Sequence, residues 1–177
     1  MAYFIIIRGP LGCGKSTIAK KLTKILNAEY ISMDKILKEN NLDVVDPVIN
    51  CIPEKNFIRA NEIILPKANK HLSRGRIVIF DGCFYHKKSV EHLIRNLPYQ
   101  NYVFTLKAPV EVCIERNNKR KNKLGEKAAR DVHKLASDFD YGIIIVSTKP
   151  LKIIIEEILS HLPKKRSGPD KPLMSLE

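Results

Sequence analysis

The sequence has no tryptophan, and phenylalanine and tyrosine bring its aromatic share to only 7%. A surface that grips single-stranded nucleic acid by stacking interleaves aromatic rings with basic side chains, and the main basic run here, Arg116 to Arg130, contains no ring. Long apolar runs are missing too. Phe4-Ile5-Ile6-Ile7 and Ile143-Ile144-Ile145-Val146 fall far short of the ~18 consecutive residues that span a bilayer. The four cysteines, Cys13, Cys51, Cys83 and Cys113, lie tens of residues apart without a CxxC pair, so neither a zinc module nor a disulfide framework is signalled. They are expected to be reduced and structural. Acidic residues are in deficit: 31 Lys+Arg face 19 Asp+Glu, a formal net charge of +12. That balance favours anionic partners such as phosphorylated small molecules, nucleic acid or acidic lipid. The amino terminus, Met1-Ala2-Tyr3-Phe4, lacks the basic opening and long apolar stretch of a secretory signal, and a cytoplasmic protein is expected.

What is present is ordinary globular material, 44% hydrophobic and 28% charged over 177 residues, about the length of one domain. Short β-branched runs alternate with longer segments of helical period, the pattern of parallel strands joined by helical crossovers in an α/β fold. Strands are predicted near residues 3–7, 29–32, 76–81, 102–106 and 143–146, and the near-continuous apolar character of most of them suits a sheet covered on both faces. Helical spacing is read at residues 16–26, 57–72, 90–97, 110–118 and 151–162, within about six or seven helices in all. Pro66 falls inside the second of these and is expected to kink or divide it. A single domain is expected over residues 1–162. Residues 163–177, rich in proline and charge, read as a mobile basic tail.

One local signal dominates. Gly9-Pro10-Leu11-Gly12-Cys13-Gly14-Lys15-Ser16 satisfies G-x-x-x-x-G-K-[ST] between an apolar strand and an amphipathic helix. Glycines let the backbone curl so that N–H groups point at phosphate oxygens, and the helix adds its positive end. Gly9, Gly12, Cys13, Gly14, Lys15, Ser16 and Thr17 are therefore candidate nucleoside triphosphate contacts, with Lys15 on the β and γ phosphates and Ser16 on Mg²⁺. Asp34 follows the second strand, where a carboxylate can face the phosphate loop and take a proton from an attacking hydroxyl; the alternative is that it only caps its helix. Asp81 ends a buried strand and is a candidate for organising Mg²⁺, directly or through water. The basic cluster from Arg116 to Arg130 is read as a lid, about residues 116–130, whose arginines close over the transferring phosphoryl group; a solvated helix end is the other reading.

Taken together, the segment from about Phe4 to Leu162 resembles the P-loop kinases of the nucleotide and small-molecule type. That resemblance implies a three-layer fold with a five-stranded parallel sheet in the order 2-3-1-4-5, helices on both faces and a basic lid. It implies Mg-ATP chemistry, with ATP and Mg²⁺ as cofactors and a hydroxyl-bearing acceptor. The likeness is strongest to polynucleotide 5′-hydroxyl kinases and the chloramphenicol phosphotransferase group, through Glu111-Val112-Cys113-Ile114-Glu115-Arg116-Asn117-Asn118-Lys119-Arg120 and Val146-Ser147-Thr148-Lys149-Pro150. By it Asp34 is the base, Arg120 the principal lid arginine and Arg116 a second. The polynucleotide kinases carry an arginine three residues after the catalytic aspartate, where this chain has Leu37. The acceptor is thus a small metabolite or nucleotide, or the 5′-hydroxyl of RNA or DNA, acted on by a monomer or homodimer. Two readings from other classes compete: a nucleotide-hydrolysing switch and a regulated RNA- or DNA-binding protein. Asn122-Lys123-Leu124-Gly125 lacks the aspartate of a guanine-reading Asn-Lys-x-Asp, which weighs against the switch.

Overall fold

The computed structural model describes residues 2–121 and 124–163. Its centre is strand β1 (Tyr3–Arg8), whose side chains alternate between the two faces of a sheet, as period-2 geometry requires. Phe4 and Ile6 enter one hydrophobic core and Tyr3, Ile5 and Ile7 the other. All are buried, which is why the strand reads as an unbroken apolar run. Four further strands, β2 (Glu29–Ser32), β3 (Val78–Asp81), β4 (Gln100–Lys107) and β5 (Ile143–Val146), complete a five-stranded parallel sheet. Its order is β2-β3-β1-β4-β5, the one the resemblance implies. Every strand predicted from the sequence is present, with ends shifted by at most two residues.

Seven α-helices flank the sheet among the described residues: α1 (Lys15–Leu26), α2 (Met33–Glu39), α3 (Glu54–Ser73), α4 (Lys87–Asn96), α5 (Val110–Asn118), α6 (Glu126–Ser137) and α7 (Leu151–Ser160). Ile18 and Leu22 of α1 join Ile154 and Ile158 of α7 beneath one face. Leu37, Phe57, Ile64, Val90 and Leu93 from α2, α3 and α4 cover the other. The expected division at Pro66 does not occur: α3 continues through it for 20 residues. Pro66 lies on the exposed face, where water can satisfy the carbonyl that loses its partner.

The segment read as a lid, about residues 116–130, is not a single element. Arg116 still belongs to α5, the connection to α6 is only residues 119–125, and residues 126–130 are already helical. The sequence reading had not resolved α6 as a helix. Its wholly buried residues are only Ala129 and Ala136, so its apolar stripe is thin beside the surrounding charge. The expected tail lies outside the described residues from position 164 onward.

Candidate active site

Strand register brings the site together. Ile7 of β1 and Ser32 of β2 both lie opposite Asp81 of β3, so the phosphate loop, the start of α2 and Asp81 share the C-terminal edge of the sheet. Ligands of open parallel sheets bind outside this edge, where the connections diverge. Gly12 takes φ +83°, and a Cβ there would run into the carbonyl of Cys113, so only glycine allows the loop to pack on α5. Gly14, also left-handed, caps α1 and leaves that helix's positive end facing the loop.

Lys15 is buried, and its Nζ donates to the Pro10 carbonyl at 2.7 Å. Burial works against its charge, but Cys13, Cys83, Asp34 and Asp81 outweigh that and raise its pKa. Lys15 is therefore a fixed cation at the centre of the loop. Ser16 is half-buried and Thr17 exposed, as the first turn of a helix facing a ligand allows. Asp81 is 3% exposed; its Oδ2 accepts a 2.6 Å hydrogen bond from the Tyr30 hydroxyl, and its Oδ1 is buried without a partner. Burial, followed by the hydrogen bond to Asp81, raises the Tyr30 pKa, so this hydroxyl stays a donor.

Asp34 does not cap α2. Ser32 is the cap and accepts from the Lys35 backbone N–H, leaving the Asp34 carboxylate free. Asp34 stands on the wall of an open cavity, wetted on one side and crowded by protein on the other. Desolvation raises its pKa; Lys15 pulls it down, Asp81 pushes it up and Arg120 pulls it down, with desolvation prevailing. The structure thus brings Lys15, Asp34 and Asp81 within mutual electrostatic reach, with exposed Arg120 close enough to act on Asp34.

Of two nearby cavities, one is lined by Asp34 of this cluster and the other by Cys13 and Gly14 of the phosphate loop. The smaller, about 250 Å³, is lined by Cys13, Gly14, Thr17, Arg116, Ser147 and Lys149 among others. Arg116 is placed there, with Nη1 donating to the Ser147 carbonyl at 3.1 Å. The larger, about 710 Å³, is bounded by Asp34, by the α2–α3 connection, by Phe57 and Tyr85, and by the first turns of α6. A volume of this size is typical of a small-molecule site.

Sequence reasoning missed Arg8, the residue before the phosphate loop. Its side chain is fully buried, and its hydrogen bonds go to carbonyls and a hydroxyl. Nη2 donates to the Ala136 carbonyl at 2.8 Å, Nη1 to the Phe139 carbonyl and Thr105 Oγ1 at 3.0 Å, and Nε to the Phe84 carbonyl at 3.3 Å. Its Cζ also lies 4.0 Å from the Phe139 ring centroid. Burial lowers its pKa to about 10, which leaves it charged at neutral pH. Arg8 therefore ties the C-terminal end of α6 to the strand that launches the phosphate loop. The signal was a lone arginine closing an apolar strand.

A phosphate loop between β1 and α1, with one aspartate ending β3, another in the first turn of α2 and two cavities nearby, defines a P-loop phosphotransferase. The comparisons agree. A family model described as an AAA domain matches residues 4–138, and the chain belongs to that family. A shikimate kinase of Mannheimia succiniciproducens is 26% identical over 136 residues, covering 76% of this chain and 74% of that protein. A Staphylococcus epidermidis shikimate kinase is 26% identical over 112 residues, covering 63% of this chain and 62% of its own. Among solved structures, a sugar kinase from Janibacter sp. HTCC2649 superposes with a TM-score of 0.76 at 17% identity, over 90% of this chain and 94% of that one. A gluconokinase from Sinorhizobium meliloti 1021 does so with a TM-score of 0.66 at 13% identity, over 88% and 89%. No helix among the described residues is long and apolar enough to cross a membrane.

Proposed function

We propose that this protein is a Mg-ATP-dependent kinase that transfers the γ-phosphoryl group to the hydroxyl of a small-molecule acceptor. One observation carries the reading: Asp34, free of any capping role, stands on the wall of the 710 Å³ cavity within electrostatic reach of Lys15. The nucleoside end of ATP is assigned to the smaller cavity beside Thr17, Ser147 and Lys149, and the acceptor to the larger one. The names of the shikimate kinases, gluconokinase and sugar kinase support a small-molecule acceptor.

In this scheme the acceptor oxygen forms a bond to the γ phosphorus, the bond to the β–γ bridging oxygen breaks, and the acceptor proton passes to the Asp34 carboxylate. The raised Asp34 pKa makes it a stronger base than an ordinary aspartate. Lys15 holds the β and γ phosphates and Arg120 balances charge on the transferring group, while Arg116, on the wall of the smaller cavity and bonded to the Ser147 carbonyl, is assigned to the nucleotide side. Mg²⁺ would be held by Ser16 and Asp81. The partnerless buried Asp81 Oδ1 fits that role, and this ion ordinarily takes only one or two protein groups beside waters and phosphates. When bound it neutralises charge on the phosphate oxygens.

The test is transfer of labelled γ-phosphate from Mg-ATP to alcohols, nucleosides, nucleotides and 5′-hydroxyl oligonucleotides, with Asp34→Asn in parallel. Labelled acceptor that disappears in the variant supports the reading. Free phosphate alone, released at the same rate by both proteins, sinks it in favour of a hydrolysing switch. The +12 charge is the one observation that favours a polynucleotide 5′ end, and label on the oligonucleotide would establish that acceptor.

A further inference from the structure

The larger cavity has a chemical character of its own. Leu37, Ile52, Phe57 and Val132 give its wall an apolar part, and Leu37, Phe57 and the Cys83 thiol are buried. Burial pushes the Cys83 pKa up to about 12, so at neutral pH it is one more uncharged surface. Phe57 and Tyr85 meet edge to face with centroids 5.1 Å apart and give the floor two aromatic rings. The Tyr85 hydroxyl accepts from the Ile52 backbone N–H at 2.9 Å, which leaves its own proton available to a ligand oxygen.

The charged groups are as informative as the apolar ones. Three carboxylates, Asp34, Asp43 and Asp131, and two ammonium groups, Lys38 and Lys127, line the cavity, and no arginine does so among the described residues. Carboxylates and phosphates are recognised best by the rigid donor fork of arginine. Here Arg8 is consumed by backbone carbonyls, Arg116 faces the other cavity, and Arg120 acts on Asp34 from a distance without lining the wall. The basic excess of the chain is thus not spent on this wall.

The rim repeats the pattern. On the α2–α3 connection Val44, Val48 and Ile49 are 65%, 87% and 49% exposed, and Val45 continues the same surface into the cavity. An antiparallel bridge between Asp46 and Cys51 holds that connection as a loop. A cluster of apolar side chains kept in water beside a cavity marks a surface that a ligand covers. The 710 Å³ available is ample for a ring-bearing molecule.

We infer that the acceptor is a compact, uncharged or amine-bearing alcohol with a largely apolar, ring-sized body, and that sugar acids and nucleic-acid 5′ ends are poor acceptors. This deepens the kinase reading and rests on it for the fate of the hydroxyl; the binding preference stands on the cavity alone.

The experiment offers 2-phenylethanol, cyclohexylmethanol and 2-amino-1-phenylethanol beside gluconate, shikimate and a 5′-hydroxyl trinucleotide. Binding is read by calorimetry with a non-hydrolysable ATP analogue present, and transfer by labelled Mg-ATP. Val132→Arg and, on the exposed rim where folding is not at stake, Val45→Arg are run in parallel. The ring alcohols should bind and be phosphorylated with kcat/KM at least roughly tenfold above the acids. Each arginine should weaken their binding about tenfold by desolvating a charge against an apolar ring, with affinity for the ATP analogue unchanged. Equal or better use of gluconate, shikimate or the trinucleotide overturns the inference, as does failure of every ring alcohol to bind or indifference of that binding to both variants. Ring alcohols that bind without being phosphorylated would overturn the kinase reading and leave the cavity preference intact.

Discussion

Arg8→Met tests the anchoring of α6. The substitution keeps the stem's packing but removes the donors that serve the Phe84, Ala136 and Phe139 carbonyls. The bonds to Phe84 and Ala136 are buried, and a buried acceptor left unpaired costs ~1–3 kcal/mol. Thr105 loses less, because its hydroxyl still donates to the Tyr141 carbonyl at 2.7 Å. Burial disfavours the guanidinium charge, as its pKa near 10 shows, so part of the loss is recovered when the charge goes. The net expectation is about 2–4 kcal/mol, a large share of the ~5–15 kcal/mol of a typical domain. At ~2–4 °C per kcal/mol the melting temperature should fall by roughly 5–15 °C. Urea titration gives the free energy directly, and a midpoint shift without a change in slope attributes it to the native state. Because Lys127, Ala128, Asp131 and Val132 of α6 line the larger cavity, the acceptor KM should also rise more than the nucleotide affinity falls. A variant within about 1 kcal/mol of the parent and with unchanged acceptor KM would refute the anchoring argument.

Asp34→Asn should lower kcat by ~10²–10⁴-fold with little effect on binding of an ATP analogue, measured by calorimetry. Its folded pKa lies above the unfolded one, so protonated Asp34 favours the native state at acid pH, and that contribution is lost as pH rises through the folded value. At pH 7 the asparagine variant should therefore melt higher than the parent, a difference that closes below the ordinary carboxylate range; a lower melting temperature would contradict the desolvation. Tyr30→Phe removes the 2.6 Å donor to Asp81 and should shift the Mg²⁺ dependence of turnover to higher concentration, whereas an unchanged titration would separate Tyr30 from the metal site. Gly12→Ala should abolish ATP-analogue binding because its Cβ meets the Cys113 backbone, while Gly125→Ala, with open space around its Cβ and φ −58°, should bind normally.

The parts legible in the sequence are those whose chemistry is contiguous in the chain. A phosphate loop is one strand, one turn and one helix start, and its glycines and lysine lie within eight residues, Gly9 to Ser16. The central strands were legible because a parallel sheet covered on both faces imposes apolar runs there, such as Phe4 to Ile7 and Val78 to Phe80. The acidic ends of β2 and β3 could be nominated because position at a strand end is itself local information. Whether Asp34 capped its helix was open until Ser32 was seen in that role.

Only the tertiary structure decided which of these residues meet. The register that sets Ser32 and Ile7 opposite Asp81 joins strands tens of residues apart, and no periodicity records it. The same holds for Arg8, a surface-type residue by composition, which becomes a buried fastener because carbonyls from positions 84, 136 and 139 converge on it. It holds equally for the separation of Arg116 from the larger cavity and for the apolar wall that Leu37, Ile52, Phe57 and Val132 make together. Local pattern is written by backbone geometry and solvent exposure over a few residues. Encounters between distant segments are set by how helices and strands pack across the whole sheet, and a cavity exists only as the space those packings leave.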